Sequence, residues 1–226
     1  MSDLIDTTEM YLRTIYELIE DGVTPMRARL VEHFGHAGPT VSQTIARMER
    51  DGLVVVSEDR HLELTERGRE VATRVMRKHR LAERLLTDVI GLDLAHVHDE
   101  ACRWEHVMSE RVERRIVEML DGPVVSPYGN PVPGLVELGV AEGDQTPAPR
   151  PVSELADAGV TSVTVVRLGE YLQAMDDALA GLVAAGVLPG ATVGVAAAGD
   201  DVVLTGPEGP VALGRGHARH VFVLPS

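Results

Sequence analysis

Residues 24–64 read TPMRARLVEHFGHAGPTVSQTIARMERDGLVVVSEDRHLEL and contain the signals that most strongly indicate the fold. Thr24-Pro25 is typical of a helix start, with threonine as the cap and proline at the first helical position, and Gly35 ends that helix. Gly38-Pro39 begins a second short helix, and two such helices joined by a glycine-containing turn indicate a helix-turn-helix. The valine run and the alternating pattern within 53–64, separated by a polar turn, predict a β-hairpin, or wing.

Helices are predicted on both sides of this unit. Asp6 and Glu9 form a capping-box pattern at the start of an N-terminal helix. A long helix begins at Thr65 and is closed by Gly91. Two more helices are predicted over 98–108 and 112–120. This bundle is too small to bury all of its apolar faces alone, so we expect the chain to form a dimer.

Proline and glycine mark the second half of the chain. The segment 121–134 contains four prolines and three glycines, which is typical of an extended, polyproline-like chain. After a polar linker, the pattern predicts a strand over 161–168 and a helix over 171–185. Further short strands with glycine and proline turns are predicted over 191–197, 201–204, 211–213 and 220–224. Several short strands of this kind indicate a small barrel.

Composition narrows the class of protein. Hydrophobic residues make up 44% of the 226 and charged residues 25%, as in ordinary globular domains. A single cysteine excludes an intramolecular disulfide and fits a reducing cytosol. The longest strongly apolar run without a charge, from 178 to 188, is too short to cross a bilayer. We therefore expect a cytoplasmic protein with no membrane partner.

The charge distribution bears on nucleic acid as a partner. A net charge of −14 argues against it. Residues 27–50, however, carry four arginines against two glutamates. Arginine suits bidentate contacts with phosphate better than lysine does. The helix-turn-helix therefore lies in the one stretch that leans basic.

Three side chains that can bind metal lie on one predicted helix face, because Cys102, Glu105 and His106 are spaced i, i+3 and i+4. A thiol, a carboxylate and an imidazole together are typical of a transition-metal site. A lone cytosolic cysteine is more often a small buried hydrophobe, and a glutamate–histidine pair is more often solvated. The metal and the structural interpretations both stay open from spacing alone.

A second pair, His79 and Glu83, has i, i+4 spacing and fits either a surface ion pair or two ligands, with His98 as a further candidate nearby. Cys102 and His106 could also meet as a nucleophile and its base. No orienting third group or oxyanion loop is evident for such an enzyme. The sequence also contains no HExxH motif, CxxC pair, Gly-rich phosphate loop or GxSxG motif.

Four longer motifs carry a family resemblance: DTTEMYLRTI at 6–15, GPTVSQT at 38–44, RKHRLAER at 77–84 and EACRWEH at 100–106. They resemble the diphtheria-toxin-repressor and iron-dependent-regulator family of actinobacteria. The resemblance runs nearly without gaps from residue 2 to about residue 140. Beyond residue 150 it rests mainly on Glu170, Gln173 and the barrel-like pattern.

The resemblance implies a mainly α fold with a small β component. The implied divisions are a winged-helix DNA-binding domain at 1–73, a helical dimerisation and metal-binding domain at 74–140, a linker at 141–150 and an SH3-like (FeoA-like) barrel at 151–226. It implies a primary, activating metal site of Met10, Cys102, Glu105 and His106. It also implies an ancillary metal site of His79, Glu83, His98, Glu170 and Gln173, beside an anion site of Arg80, Ser126 and Asn130.

For DNA, the family pattern implies base contacts from Gln43 and Pro39. It implies phosphate contacts from Thr7, Arg27, Thr40, Ser42, Arg50 and Arg60. The family usually has serine at position 37, where this chain has Ala37. Alanine can still contact a thymine methyl group, so we expect retained binding with altered discrimination.

The resemblance implies a dimeric repressor, not an enzyme, that Fe(II) activates to bind palindromic double-stranded DNA operators of iron-uptake and siderophore genes. A thioether, a thiol, an imidazole and a carboxylate favour Fe(II), Co(II), Ni(II) or Zn(II) over Mg(II) or Ca(II), and Mn(II) is a further expected surrogate in vitro. The manganese-sensing branch of the superfamily is similar but has carboxylates at positions 10 and 102, so Met10 and Cys102 favour iron.

Three further expectations concern the proline-rich segment and the alternative functions of the chain. The proline-rich segment is expected to bind the chain's own barrel, since polyproline helices bind such barrels with little loss of entropy. A metallohydrolase that uses the same ligands is one alternative function. A metal-independent winged-helix protein, with structural histidines and cysteine, is the other.

Overall fold

The structure is a computed structural model that describes residues 6–122, 124–141 and 148–226, so Asp3, Pro123 and most of the predicted linker lie outside the described residues. The helices are α1 (Thr7–Glu20), α2 (Arg27–Phe34), α3 (Gly38–Arg50), α4 (Glu66–Leu85), α5 (Leu94–Trp104), α6 (Glu110–Met119), α7 (Val152–Asp157), α8 (Glu170–Gln173), α9 (Asp176–Ala184) and α10 (Arg215–Ala218). The strands are β1 (Val54–Val56), β2 (Leu62–Leu64), β3 (Arg150–Pro151), β4 (Ser162–Leu168), β5 (Thr192–Ala198), β6 (Asp201–Gly206), β7 (Gly209–Gly214) and β8 (Val221–Pro225). None of the described helices is both long and apolar enough to cross a membrane.

The first three helices and the β1–β2 hairpin form the predicted winged helix-turn-helix. Asp6 caps α1 by accepting hydrogen bonds from the backbone N–H groups of Thr8 and Glu9. The two strands pair antiparallel, with Val54 opposite Leu64. The apolar faces of the three helices and the hairpin share a hydrophobic core of their own.

Helix α2 begins later than the sequence predicts. Thr24-Pro25 does not cap it, because Met26 is the N-cap residue. The backbone before the helix is bound to the wing instead: the Leu62 N–H donates to the Pro25 carbonyl at 2.9 Å, and Met26 forms a β-bridge with His61. Pairing with a distant strand therefore outweighs the local helix-start signal.

The central helices carry the predicted metal ligands. Thr65 caps α4, and α4 continues through a π-helical turn that Gly91 closes with φ of 75°. Helix α5 lies over Leu94–Trp104 rather than 98–108, because Asp93 accepts a hydrogen bond from the Ala95 N–H and starts the helix earlier. Glu105 is the C-cap residue and still has helical backbone angles, so the predicted spacing is preserved.

The C-terminal strands form a six-stranded antiparallel sheet in the order β3-β8-β4-β5-β6-β7. The helix predicted over 171–185 is two helices, since the chain breaks between α8 and α9. Short α8 places Glu170 and Gln173 inward, where each is 2% exposed. The sequence analysis misses α7, α10 and β3, which are all six residues or shorter.

One hydrophobic core continues from the central helices into the sheet. Leu81 of α4 and Val97 of α5 belong to the same buried cluster as Val163 of β4 and Leu172 of α8. The C-terminal sheet is therefore packed against the central helices and not merely tethered to them.

The proline-rich segment folds back on itself, so the expectation of an extended chain is wrong for its described part, 124–132. The Ser126 N–H donates to the Asn130 carbonyl at 2.7 Å, and Val125 forms an antiparallel bridge with Pro131. These bonds close a tight turn, whereas polyproline helices have no internal hydrogen bonds.

This turn lies against β4 of the sheet. The Leu168 N–H donates to the Tyr128 carbonyl at 2.9 Å, and Asn130 Nδ2 donates to the Leu168 carbonyl at 2.7 Å. Gly129 has φ of 84°, and a Cβ atom there would lie 2.0 Å from the Val166 carbonyl oxygen. Only glycine permits both this backbone angle and this approach.

Candidate metal centre and nucleic-acid interface

A cluster of buried polar side chains lies where α4, α5 and α8 meet. Helix α4 contributes His79 and Glu83, α5 contributes His98, and α8 contributes Glu170 and Gln173. Each of these side chains belongs to a residue that is at most 2% exposed. Because burying polar and charged groups is costly unless they are paired, such a cluster needs partners of its own or a bound ion.

The candidate ligand atoms of this cluster are close neighbours. Single donor atoms of His79, Glu83, His98 and Glu170 all lie within 4.8 Å of one another. His79 Nε2 is 2.9 Å from Glu83 Oε1 and 3.4 Å from Glu170 Oε2. His98 Nδ1 is 3.4 Å from the same Glu170 oxygen and 3.2 Å from Gln173 Oε1. The fold thus brings together all five residues expected at the ancillary site.

The histidine and carboxylate charges within the cluster stabilise each other's ionised forms. Burial opposes protonation of His79, but Glu83 and Glu170 raise the pKa of its imidazole well above the ordinary value. Burial also opposes ionisation of Glu170, but His79 and Arg80 hold the pKa of its carboxyl well below the ordinary value. Opposite charges at short range in a buried site explain both directions.

Cys102, Glu105 and His106 lie beside this cluster, where α5 ends. His79 joins the two groups, because its Nδ1 is 2.7 Å from Glu105 Oε2. Cys102 Sγ is 3.5 Å from His98 Nε2, and His106 Nε2 is 3.3 Å from Glu105 Oε1. The two expected ligand sets are therefore adjacent and in direct contact, which spacing along the sequence did not indicate.

The N-terminal end of α1 lies against the same group. Glu9 Oε2 is 2.6 Å from His106 Nδ1 and accepts its hydrogen bond. The carboxylate of Glu9 is thus engaged by His106, whereas the capping-box pattern predicted that it would return to the backbone of Asp6. Met10 follows Glu9 on the same end of α1 and is half-buried.

Arg13 is the residue of this site that the sequence analysis misses. Its Nη1 lies 2.7 Å from Glu105 Oε2 and 3.1 Å from Cys102 Sγ, and its Nε lies 2.8 Å from Glu17 Oε1. A signal was available, because Met10, Arg13 and Glu17 follow each other at helical spacing on one stripe of α1.

Arg13 also sets the charge state of the neighbouring ligands. Burial raises the pKa of the Cys102 thiol, but Arg13 and His98 lower it well below the ordinary value. Burial likewise opposes ionisation of Glu105, but Arg13 and His79 lower its pKa to about 2. Thiolate and carboxylate are the forms that bind metal ions.

The residues present fit a first-row transition-metal ion. They offer two buried imidazoles, carboxylates and a thiol of low pKa, which is a borderline-to-soft donor set. Within the described part of the chain, the buried oxygen Glu83 Oε2 makes no hydrogen bond, and Glu105 Oε1 and Glu170 Oε2 have only imidazole contacts of 3.3–3.4 Å. Buried oxygens of this kind normally have a partner, and a bound cation would supply it.

The three residues expected at the anion site are also buried, and each has protein partners. Arg80 donates to Glu170 at 3.0 Å and to Glu20 at 2.5 and 2.9 Å. Ser126 Oγ accepts a hydrogen bond from the Tyr128 N–H. Asn130 Oδ1 accepts one from Arg167 at 3.3 Å, in addition to the Nδ2 contact with β4. The guanidinium of Arg80 is thus already paired with two carboxylates.

Helix α3 presents the expected DNA-contacting side chains to solvent. Its inward face buries Val41, Ile45 and Met48. The exposed residues of the predicted DNA set are Thr7, Ala37, Pro39, Thr40, Ser42, Gln43, Arg50 and Arg60, and Arg27 at the start of α2 is half-buried. Arg60 lies at the tip of the wing with φ of 67°. This is the face that a recognition helix and its wing present to a duplex.

Comparisons with known proteins agree with this geometry. The family model "Iron dependent repressor, N-terminal DNA binding domain" matches residues 3–62, and "Iron dependent repressor, metal binding and dimerisation domain" matches residues 65–134. The iron-dependent repressor IdeR of Mycobacterium tuberculosis is 59% identical over 198 residues, covering 86% of each chain. The diphtheria toxin repressor of Corynebacterium diphtheriae is 58% identical over 193 residues, covering 85% of each chain.

Solved structures share the whole fold. IdeR of T. acidophilum superposes with a TM-score of 0.78 at 24% identity, covering 98% of this chain and 99% of the other. A manganese-dependent transcriptional repressor in complex with manganese superposes with a TM-score of 0.77 at 27% identity, covering 97% of this chain and 100% of the other. The agreement extends through the C-terminal sheet, where the sequence resemblance was faint.

Proposed function

Because the chain belongs to the iron-dependent repressor family, we propose that it is a cytoplasmic, homodimeric repressor that Fe(II) activates to bind palindromic double-stranded DNA operators of iron-uptake and siderophore genes. The relatives are named repressors, so the chain is a DNA-binding regulator and not the metallohydrolase considered as an alternative. The single observation that carries the proposal is the contact between the buried ligand cluster and α1, the first helix of the winged helix.

Met10, Cys102, Glu105 and His106 would hold the activating Fe(II), and His79, Glu83, His98, Glu170 and Gln173 would hold a second ion. A bound divalent ion supplies positive charge and directed bonds to these donors. Met10 belongs to the winged helix, whereas Cys102, Glu105 and His106 belong to the central domain. Holding these groups together favours the one conformation in which they meet.

The orientation of the winged helix matters because of the geometry of DNA. In a dimer, the two α3 helices must enter successive major grooves about 34–36 Å apart. Fixing α1 against α5 restricts the angle between the winged helix and the central domain. The proposed activation is therefore a restriction of that angle to values that fit an operator.

The central domain offers a surface for a second copy. Val89, Ile90, Val107, Val112 and Met119 are between 45% and 58% exposed. Large apolar side chains grouped on one domain are typical of an interface. The family model that matches this region names dimerisation, which supports a homodimer.

Two of the expected contacts, at the anion site and at the proline-rich segment, must be restated for this fold. For an anion to bind at Arg80, Ser126 and Asn130, Arg80 would have to exchange one carboxylate partner, Glu20 or Glu170, for the anion. The proline-rich segment would contact the sheet as a hydrogen-bonded turn, with Tyr128 and Asn130 as its contact residues, rather than as a polyproline ligand.

The test is an anaerobic Fe(II) titration of operator binding, followed by fluorescence anisotropy, for the wild type and Met10→Ala. We expect wild-type binding to require Fe(II), and Met10→Ala to require at least ~10-fold more Fe(II) with unchanged helicity and dimer mass, since one soft ligand is lost. Titrations with Co(II), Ni(II), Zn(II) and Mn(II) rank the surrogate metals. Operator binding that resists a chelator would instead support the metal-independent alternative.

A further inference from the structure

Arg13 occupies the position of a cation among metal-binding atoms. A single nitrogen, Nη1, lies 2.7 Å from Glu105 Oε2, 3.1 Å from Cys102 Sγ and 3.2 Å from His79 Nδ1. The arginine is 8% exposed, so water contributes little to its solvation. His79 Nδ1 donates to the Glu105 carboxylate at 2.7 Å and carries a hydrogen, so Nη1 donates to Glu105 and Cys102 only. The guanidinium nitrogen thus lies between two side chains that can bind a metal ion.

The partners of Arg13 differ from those of a purely structural buried arginine. Arg77, on α4, is 2% exposed and pairs with Glu113 at 2.6 Å, Glu137 at 2.9 Å and the Gly134 carbonyl at 2.8 Å. Those are oxygen acceptors, the usual partners of a guanidinium. The thiol of Cys102 is a weaker acceptor for arginine but a good ligand for transition metals.

We propose that Arg13 is an internal cation that competes with the activating metal for Cys102 and Glu105, and so sets the metal concentration at which the protein responds. This proposal rests on the proposed function, because it assumes a metal at these donors. Ligand–metal bonds of roughly 2.0–2.3 Å leave no space for a guanidinium nitrogen at the same point. A metal ion and Nη1 therefore exclude each other.

The partner of the Arg13 guanidinium differs between the metal-free and the metal-bound protein. Without metal, the Arg13 guanidinium pairs with the buried Glu105 carboxylate at 2.7 Å, beside the imidazole of His79. With metal, the guanidinium must move away, and Glu17, already 2.8 Å from its Nε, is the partner that remains. The apparent metal affinity is then the intrinsic affinity reduced by the fraction of molecules in which Arg13 has left the donors.

The experiment compares Co(II) binding to the wild type, Arg13→Met and Arg13→Lys under anaerobic conditions, using the full chain and equilibrium dialysis. Methionine removes the charge and is an unbranched but shorter side chain, so we expect Arg13→Met to bind Co(II) about tenfold more tightly than the wild type. Arg13→Lys keeps a competing charge and should remain close to the wild type. Arg77→Met is the matched control, since it removes a buried arginine away from the ligands and should leave the Co(II) affinity unchanged.

A second readout is the melting temperature with and without metal rather than the metal affinity. Without metal, Arg13→Met should melt at a lower temperature than the wild type, and saturating Co(II) should restore a larger part of the difference than it does for Arg77→Met. Equal or weaker Co(II) binding by a folded Arg13→Met overturns the proposal and assigns Arg13 a supporting role instead. Absence of Co(II) binding in both the wild type and Arg13→Met overturns the proposed metal site itself, so the two failures are distinguishable.

If Arg13→Met does not fold, an NMR experiment on the wild type and Arg13→Lys tests the proposal. The Nε–H resonance of Arg13, assigned by its loss in Arg13→Lys, should shift strongly when Zn(II) is added, because the guanidinium leaves the ligand atoms. A resonance that stays in place while Zn(II) binds overturns the proposal.

Discussion

The imidazole of His33 is half-buried between α2 of the winged helix and α8 of the C-terminal domain. Its ring centroid lies 4.8 Å from that of Phe34 and 6.4 Å from that of Tyr171 on α8. Burial, together with Arg13 and His98, lowers its pKa from 6.5 to about 4. The folded protein therefore takes up a proton at His33 less readily than the unfolded chain does.

This difference predicts how His33 affects stability as the pH changes. The contribution of His33 is constant above pH 6.5 and becomes unfavourable as the pH falls toward 4, because the unfolded chain is protonated first. Between pH 7.5 and 5, His33→Gln should lose about 2 kcal/mol less stability than the wild type. Urea unfolding of both proteins at the two pH values measures this difference. Equal losses in the two proteins would mean that His33 is not held in its neutral form.

The metal ligands could be predicted from their residue types and spacing. Which of these side chains contact each other, and which other residues contact them, could not. Helical spacing indicated Cys102, Glu105 and His106. It also indicated His79 and Glu83, with His98 nearby, whereas Met10, Glu170 and Gln173 came from the family resemblance. The contacts of Arg13 and Glu9 with these ligands depend on how α1 crosses α5. Such a crossing is set by tertiary packing and leaves no local signal except a charged pair on an otherwise apolar helix stripe.

Among the elements, α3 has the clearest predicted role, because Gln43 is exposed on its first turns while the opposite face is buried. Gln43→Ala should cost on the order of 1–3 kcal/mol of discrimination at one base pair, since glutamine can read an adenine with two hydrogen bonds.

Arg27→Ala should weaken binding to all DNA sequences alike and reduce the salt slope by about one. Anisotropy titrations on operator and random DNA at several salt concentrations separate the two. Equal losses on both DNAs for Gln43→Ala would contradict its role as a base reader.

The helix boundaries show which of them nearby residues determine and which of them tertiary contacts determine. Asp6, Thr65 and Gly91 cap or close helices as predicted, because each acts on backbone groups only a few residues away. Thr24-Pro25 fails as a helix start because the wing binds that backbone. The break between α8 and α9 is likewise tertiary, since Glu170 and Gln173 are directed toward His98 and His79 rather than continuing an amphipathic helix.

In the whole molecule, the C-terminal domain contacts both other parts of the chain. It shares its hydrophobic core with the central helices, and it meets the winged helix at Asp21, directly after α1. Arg167 Nη1 on β4 and His220 Nδ1 before β8 each lie 2.7 Å from an oxygen of Asp21. A Cβ atom at Gly169 would lie 2.6 Å from the same carboxylate. The sheet is therefore in a position to influence the orientation of α1.

A double-mutant cycle on Asp21 and Arg167 tests whether this contact holds the domains together. The two side chains are 6% and 5% exposed, and a buried ion pair that loses one partner leaves the other charge uncompensated. We expect Asp21→Ala and Arg167→Ala to couple by about 1–3 kcal/mol in the free energy of unfolding. The matched control is the pair Asp157 and Arg215, whose side chains are 57% and 38% exposed. This pair should couple by less than about 1 kcal/mol, as solvated pairs do.

Hydrogen exchange should also rise at the end of α1 in Asp21→Ala but not in Asp157→Ala. Additive losses for Asp21 and Arg167, with unchanged exchange, would mean that the shared core alone positions the sheet, and that α1 moves independently of it.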